Sequence, residues 1–188
     1  MIQSKRDYQY YLEADRLAIK KFNSKRPRLV GDEVWIFLRS LRKLEYMINC
    51  KRGPFWKLIR MYCKVRHHKL SLKTGITIHP NSFGPGLAIF HHGTIIVNSN
   101  ARIGKDCQLY NCTNIADGVK VGNKVFIGPG AKLLNNVQIA DGVRIGANSV
   151  VTKSFTEPNV TIAGNPAKKI SDVGTEHHYV GGTDRMLL

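Results

Sequence analysis

Histidine is the residue type in this chain with the clearest capacity for chemistry, because its side chain can accept a proton near neutral pH. Two of the seven histidines, His91 and His92, precede Gly93 and the β-branched run Ile95-Ile96-Val97. His79 stands directly before Pro80, a position more typical of a turn. The pair His91-His92 is therefore the first place to look for a general base.

A metal site is the alternative use of these histidines. His79, His91 and His92 supply imidazole ligands, but their spacing matches no recognised metal motif and no acidic residue lies close by in sequence. The four cysteines occur in no CxxC spacing, so neither a zinc site nor a disulfide framework is indicated. We expect no metal.

An aliphatic residue recurs at every sixth position of the second half of the chain. Ten successive positions of this series are Ile, Leu or Val: Val97, Ile103, Leu109, Ile115, Val121, Ile127, Leu133, Ile139, Ile145 and Val151. The position four further on is small or medium-sized up to Ser149 and becomes Phe155, and Gly, Asn and Asp crowd the positions between. This period predicts short strands joined by tight corners, with two side chains per hexad pointing into a shared interior. That architecture is a β-solenoid.

The same series, extended backwards, assigns His91 to a position that is aliphatic in the ten hexads that follow, unless the register shifts before Val97. A titratable side chain at a position that is otherwise aliphatic departs from the repeat, and such departures are typical of functional sites.

Positive charge is concentrated in the first 75 residues. They hold a net +13 of the chain's formal +16, and the composition changes from helix formers to Gly, Asn, Ile and Val at the same place. We expect a basic α-helical segment over 1–75, the solenoid over 76–170 and a polar tail over 171–188. A hydrophobic content of 43% excludes a disordered polycation. The absence of a long apolar run and of a signal-like start favours a cytoplasmic protein.

Three amphipathic helices are expected in the basic segment. The first takes Ser4 as its N-cap and carries an apolar stripe that ends at Phe22; the second starts at Asp32. The third opens at Pro54 and carries Phe55, Leu58, Ile59 and Tyr62. Each stripe must be buried against something. The accompanying basic residues suit a solvated face, an anionic membrane or, least of all, nucleic acid, since no nucleic-acid-binding motif is present.

Several blocks of the solenoid resemble the hexapeptide-repeat acyltransferases, and most of all the serine acetyltransferase-like branch that includes polysaccharide O-acetyltransferases. The resemblance spans roughly 76–170 and is carried by five blocks: the stretch 86–98, Ala101 to Gly104, Val125 to Lys132, Ile145 to Lys153, and Ala163 to Ile170. It implies a mainly β fold, a left-handed parallel β-helix, with the α-helical segment before it.

The resemblance also implies acetyl-CoA as acetyl donor and His91 as catalytic base. The donor's pantetheine arm would contact backbone amides near two turns, whose residues are Gly128, Gly130 and Ala131, and Gly146, Ala147 and Ser149. Its phosphates need positive charge, for which Lys153, Lys168 and Lys169 are available. Family members are usually homotrimers with active sites between subunits.

Three departures from the serine acetyltransferases concern the acceptor. Phe90 replaces the acid before the catalytic histidine, Thr77 replaces a second acid, and the glycine-rich insertion between the hexads of Ile115 and Val121 is missing. A zwitterion needs charged partners, so these changes favour a saccharide hydroxyl. Its neutral groups suit an acceptor surface of Phe90, His92, Asn98, Tyr110, Asn111 and Asn114.

The sequence therefore predicts an acetyl-CoA-dependent O-acetyltransferase that acts on a saccharide, in surface-polysaccharide synthesis. The alternatives are a serine O-acetyltransferase and a non-catalytic solenoid that binds a membrane or a partner through its basic segment. The expected partners are acetyl-CoA, a hydroxyl-bearing acceptor, further copies of the chain and, at its periphery, an anionic membrane.

Overall fold

Three helices precede a series of short strands in the computed structural model, which describes residues 1–176 and 179–187. The helices are α1 (Lys5–Ala18), α2 (Glu33–Cys50) and α3 (Pro54–Thr74). The strands are β1 (Ile76–Thr77), β2 (Ile95–Val97), β3 (Arg102–Ile103), β4 (Gln108–Leu109), β5 (Thr113–Ile115), β6 (Lys120–Val121), β7 (Phe126–Ile127), β8 (Lys132–Leu133), β9 (Gln138–Ile139), β10 (Arg144–Ile145), β11 (Val150–Val151), β12 (Thr161–Gly164) and β13 (Ala167–Ser171). A single 3₁₀ turn, Asp184–Met186, follows within the described part of the tail.

The strands form three sheets around a common interior. The first sheet has the order β1-β2-β5-β8-β11, the second β3-β6-β9, and the third β13-β12-β10-β7-β4. Neighbouring strands are parallel except β12 and β13, which form an antiparallel hairpin at the end of the helix. In the regular coils each residue pairs with the residue 18 positions later, as Asn114 does with Lys132. Three hexads therefore make one coil of a parallel β-helix.

The interior of this β-helix is made of the predicted columns. All ten aliphatic residues of the hexad series are at most 5% exposed. The second column, which includes Ala101, Cys107, Val119 and Val125, is also buried. Because each Å² of apolar surface removed from water contributes roughly 25 cal/mol, the burial of these columns stabilises the domain. The predicted fold class is confirmed.

Helices α1 and α2 follow the sequence expectation at their starts. The Ser4 hydroxyl accepts a hydrogen bond from the Asp7 amide at 3.0 Å, and Asp32 is the N-cap residue of α2. The extent of the α1 stripe is wrong, because the helix ends at Ala18 and Phe22 is 52% exposed. Helix α2 buries Phe37, Leu38 and Leu41 in the same core cluster as the first coils of the β-helix.

Helix α3 starts at Pro54 as predicted, but the expected burial of its stripe is wrong. Phe55, Leu58 and Tyr62 are 66–75% exposed, and the face that packs against the rest of the chain carries Cys63 and His67 instead. Ile59 is the exception in the predicted stripe, because it is partly buried and packs against the cluster of Leu44, Met47 and Cys63.

A buried cluster of charges joins the helices to the first coil. The Arg42 guanidinium, which is fully buried, donates to Asp15 at 2.8 Å and to Glu45 at 3.1 Å. It also donates to the backbone carbonyls of Phe83 and Gly84. Asp15 in turn accepts from the amides of Gly86 and Leu87, and Glu45 from that of Asn81. This network fixes the segment 81–87, from which the chain runs to His91.

The tail runs back along the β-helix towards α1. Thr175 donates to the Gly142 carbonyl, Thr183 donates to the buried Asp106 carboxylate through both its amide and its hydroxyl, and Arg185 donates to the Leu17 carbonyl. Burial raises the pKa of Asp106, and the two bonds from Thr183 oppose that shift. The described part of the tail is thus anchored at three points.

Candidate active site

His91 lies at a corner of the β-helix and not in its interior. The first coil is irregular: seven positions separate Ala88 from Ile95, whereas five separate their partners Gln108 and Thr113. Two extra residues are therefore accommodated in this corner. Ile89, which follows Ala88 as Leu109 follows Gln108, fills the inward position and is 2% exposed. The assignment of His91 to the aliphatic position is wrong, because the register shifts before Val97 and leaves its side chain exposed.

The corner that holds His91 continues as one edge of the β-helix, between the third sheet and the first. The corresponding corners of the next three coils lie along the same edge. They are formed by residues 110–112, by the turn Gly128 to Ala131 and by the turn Gly146 to Ser149. Successive coils of paired strands are about 4.8 Å apart. His91 and the two turns predicted to contact the acetyl donor thus share a single edge, which we call the His91 edge.

The turns along the His91 edge are closely packed. A side chain at Gly128 would place its Cβ 2.8 Å from the Ile145 carbonyl oxygen, and one at Gly146 would meet Ala163 at 2.9 Å. Ala131 and Ser149 are completely buried. The outer surface of the two turns is formed by Pro129, Gly130, Gly146, Ala147 and Asn148, and the small residues among them allow a ligand to approach closely.

A cavity of about 570 Å³ opens beside His91. Its wall combines the corner of the first coil with the start of α2 and the chain before it: Ile19, Lys21, Gly31, Asp32, Glu33, Val34, Trp35, Ile89, Phe90, His91, His92 and Tyr110. This size suits a small molecule or part of a larger one. The helical segment therefore contributes directly to the candidate site.

Charged groups of both signs line this cavity. Lys21 donates to the buried Asp32 carboxylate at 2.5 Å, and this hydrogen bond lowers the pKa of Asp32. The pKa of Glu33 is lowered first by hydrogen bonds from its own amide and that of Gly31, and further by Lys73 and His92. Both carboxylates are therefore ionised at neutral pH. Asp32 is already paired, whereas Glu33 is 4.0 Å from its nearest cation, Lys73.

Aromatic rings form a second feature of the wall. The Phe90 and Tyr110 ring centroids are 6.0 Å apart, and those of Tyr110 and Phe126 are 5.2 Å apart. Trp35 also lines the cavity, and its indole Nε1 is buried without an acceptor among the described residues. An apolar platform thus lies next to the charged start of α2.

The structure brings together some of the predicted acceptor residues. Phe90, His92 and Tyr110 line the cavity with His91, and Asn111 lies in the next coil directly under Gly93. Asn98 is in the turn after β2, where its side chain accepts from the Asn100 amide at 2.9 Å. Asn114 points outward from β5. Neither Asn98 nor Asn114 lines the cavity.

The predicted phosphate-binding lysines are dispersed. Lys153 follows β11 at a different corner, with its ammonium 5.7 Å from the centre of the Phe155 ring. Lys168 is exposed on β13, next to Lys169. Lys169 forms ion pairs with Glu157 at 2.6 Å and Asp172 at 2.5 Å. Lys169 is therefore already partly neutralised in this chain.

Sequence reasoning missed the contribution of Lys21, Glu33 and Trp35 to the cavity. Asp32 was identified only as a helix start, and nothing in the local sequence connects it with a corner some 60 residues later. Docking of α2 on the first coil brings them together.

Over 1–176 and 179–187, no three His, Cys, Asp or Glu residues are grouped so that they could hold a metal ion. Among the helices of the described residues, none is both long and apolar enough to cross a membrane.

The sequence profile of the family "Bacterial transferase hexapeptide (six repeats)" matches residues 100–135 and 118–153. No curated protein matches the chain.

Solved structures with the same fold include serine acetyltransferases from bacteria and a plant. That of Neisseria gonorrhoeae in complex with serine is 22% identical, with a TM-score of 0.70, over 89% of this chain and 71% of the other. That of Brucella abortus strain S19 in complex with coenzyme A is 24% identical, with a TM-score of 0.71, over 90% and 70%. The soybean enzyme complexed with serine is 22% identical, with a TM-score of 0.69, over 88% and 70%.

The match covers the helices as well as the β-helix, since about nine-tenths of this chain superposes on each of these structures. The chain thus carries the hexapeptide repeat of bacterial transferases within the fold of the serine acetyltransferases.

Proposed function

We propose that the protein is an acetyl-CoA-dependent O-acetyltransferase with His91 as its general base. The observation that carries this proposal is the position of His91. Its exposed ring stands beside a cavity that suits an acceptor, and at the top of the edge whose turns suit the donor. The solved structure with coenzyme A supports the same donor, since it shares the fold of this chain.

The chemistry requires one group that can take a proton and return it. An imidazole nitrogen of His91 accepts the proton of the acceptor hydroxyl as its oxygen attacks the thioester carbonyl carbon of acetyl-CoA. The carbon–sulfur bond breaks when the tetrahedral intermediate collapses, and the imidazolium returns the proton to the departing thiolate. The products are the acetyl ester and free CoA.

Serine is the better supported acceptor. The solved structures that share the fold include two serine complexes. The cavity also supplies charge that the local sequence around His91 lacks, because Glu33 is placed to hold an ammonium group even though Phe90 replaces the usual acid. Phe90, Thr77 and the missing insertion all lie outside α2, which supplies this charge to the cavity.

A saccharide is the second candidate, as an acceptor in polysaccharide synthesis. The observation that favours it is the pair of rings Phe90 and Tyr110, whose centroids are 6.0 Å apart at the cavity wall. Aromatic faces are a common surface for the apolar side of a sugar ring, and Tyr110 adds a hydroxyl that can donate to it.

The role of His91 is tested by release of CoA thiol from acetyl-CoA in the presence of serine, simple sugars or nucleotide sugars. We expect His91→Ala to lower kcat by about 10²–10⁴-fold, the usual contribution of a general base. His79→Ala is the matched control, because His79 is also exposed on the first coil but lines a different cavity. Equal activity of the His91→Ala variant and the wild type would exclude His91 as the base.

The acceptor is tested with Glu33→Gln. If serine is bound through its ammonium, this variant raises the KM for serine by about tenfold or more, because the charge-assisted hydrogen bond is lost, and leaves the KM for acetyl-CoA unchanged. Glu13→Gln, on the exposed side of α1, is the control. Turnover with a sugar and none with serine would reject the serine assignment and favour the saccharide.

We further propose a homotrimer, which the family resemblance implies. A mass of three times 21.1 kDa by light scattering is the expected result. A monomer with full activity would contradict the placement of the active site between subunits.

A further inference from the structure

Helix α3 presents an apolar stripe to the outside of the molecule. The stripe consists of Phe55, Leu58, Tyr62, Val65 and Leu72, whose side chains are 46–75% exposed. Their spacing of three, four, three and seven residues places them on one face of the helix. The opposite face carries Cys63, His67 and Thr74, which are buried against the rest of the chain. The outward stripe therefore takes no part in the fold of this chain.

Positive charge flanks the outward stripe on both sides. Helix α3 contains six Lys or Arg residues and no Asp or Glu. At 100° per residue, Lys57 and Lys64 lie along one side of the stripe and Arg66 and Lys73 along the other. Lys69 lies within the stripe, where its long side chain can carry the ammonium group away from an apolar surface. All five are exposed.

The basic side of the helix also borders a cavity. Lys57, Arg60 and Lys64 line a space of about 580 Å³ together with the apolar side chains of Leu44 and Ile48. Cations beside apolar groups suit an anionic headgroup that continues into hydrocarbon. This cavity lies against α2 and α3 and shares no lining residue with the one beside His91.

We propose that α3 docks the protein on the surface of an anionic lipid bilayer, with the outward stripe in the interface and the flanking cations against lipid headgroups. Apolar residues bordered by Lys and Arg are what such a surface binds. A second copy of α3 would bring a like charge against this one, which opposes pairing of the helices. Nucleic acid would satisfy the cations but leave five apolar side chains in water. The inference does not depend on the proposed reaction.

The test uses the full chain and vesicles of phosphatidylcholine, with and without phosphatidylglycerol. We expect cosedimentation with the phosphatidylglycerol vesicles alone, and a loss of binding at high salt, because the attraction of exposed charges is screened. Leu58→Ser with Tyr62→Ser should lower the partition coefficient about tenfold or more. The matched control is Ile96→Ser with Leu134→Ser, two exposed apolar residues of the β-helix.

A second pair of variants separates charge from apolar contact. Lys57→Glu with Lys64→Glu should abolish binding, whereas Lys120→Glu with Lys132→Glu, on exposed positions of the β-helix, should leave most of it. All changed residues are exposed, and circular dichroism checks that each variant is folded.

Four results would overturn the proposal. One is equal binding to vesicles with and without anionic lipid, and another is binding that the α3 variants do not alter. The third combines two observations: the wild type does not bind vesicles, and the α3 stripe variant differs from it in molecular mass by light scattering. Together they would assign the stripe to contacts between copies of the chain. The fourth is displacement of the protein from the vesicles by RNA that carries the same total charge as the anionic lipid, which would favour nucleic acid as the partner.

Discussion

The β-helix and the helical segment are held together by different kinds of interaction. In the β-helix, each coil repeats the same aliphatic contacts with the next, and the ten residues of the hexad series are buried without a charge among them. Where the helices meet the first coil, the central side chain is instead Arg42, fully buried between Asp15 and Glu45. One region relies on many equivalent contacts, the other on one specific network.

The two regions should therefore differ in how well they tolerate amino-acid substitutions. Aliphatic columns lose a limited amount of free energy when one member is shortened, because the neighbouring coils keep their own contacts. A buried ion network fails as a unit, since removing one charge leaves the others buried without a partner. The candidate active site lies between the two regions, so it depends on both.

The largest effect is expected for Arg42→Leu. It leaves the carboxylates of Asp15 and Glu45 buried without their countercharge, and we expect a loss of about 3–5 kcal/mol in the free energy of unfolding, measured in urea. Arg102→Leu, on an exposed position of β3, is the control and should change stability by less than about 0.5 kcal/mol. Equal losses of stability in the two variants would show that the Arg42 network is no more sensitive to substitution than the surface of the β-helix.

Ile127→Ala probes the columns of the β-helix. Ile127 is completely buried in β7, between the coils of Leu109 and Ile145, and we expect a loss of about 2–5 kcal/mol in the same measurement. Ile127→Val, which removes one methylene, should cost about 0.5–1.5 kcal/mol. A graded pair of values would support additive contacts, whereas complete unfolding of both variants would show that the columns also fail as a unit.

A smaller, pH-dependent effect should distinguish the helical segment. Burial between α2 and α3 lowers the pKa of His67, whose Nδ1 is 2.8 Å from the Ser40 hydroxyl. Below the unfolded-state pKa of about 6.5 the unfolded chain binds a proton that the folded chain resists, so stability falls as the pH drops, by up to about 1.4 kcal/mol per pH unit.

The measurement is the midpoint of thermal unfolding between pH 7.5 and pH 5.5, compared with His67→Gln. We expect a shallower pH dependence in this variant, because the group whose pKa is lowered by burial is gone. The described part of the β-helix buries no histidine. An unchanged slope in His67→Gln would assign the pH dependence to other groups.

Sequence patterns predicted the repeating part of the β-helix well, but they predicted poorly the places where the helices and the first coil meet. The columns from Val97 to Val151 were predictable, because a six-residue period has one simple structural solution. The position of His91 was not, because two extra residues in the first coil shift the register by an amount that no local signal shows. The stripe of α3 was seen, but which face of the helix is buried depends on how α2 packs against it.

The amino-acid sequence by itself determined the parallel β-helix and the separation of charge between the two regions, because each is a property of residue types and their spacing along the chain. Tertiary structure decided what surrounds His91 and what α3 leaves exposed. Glu33 and Lys21 reach the cavity only because Arg42 and the apolar face of α2 dock the helices on the first coil. Contacts between residues so far apart in the chain arise from packing, which no periodicity in the sequence records.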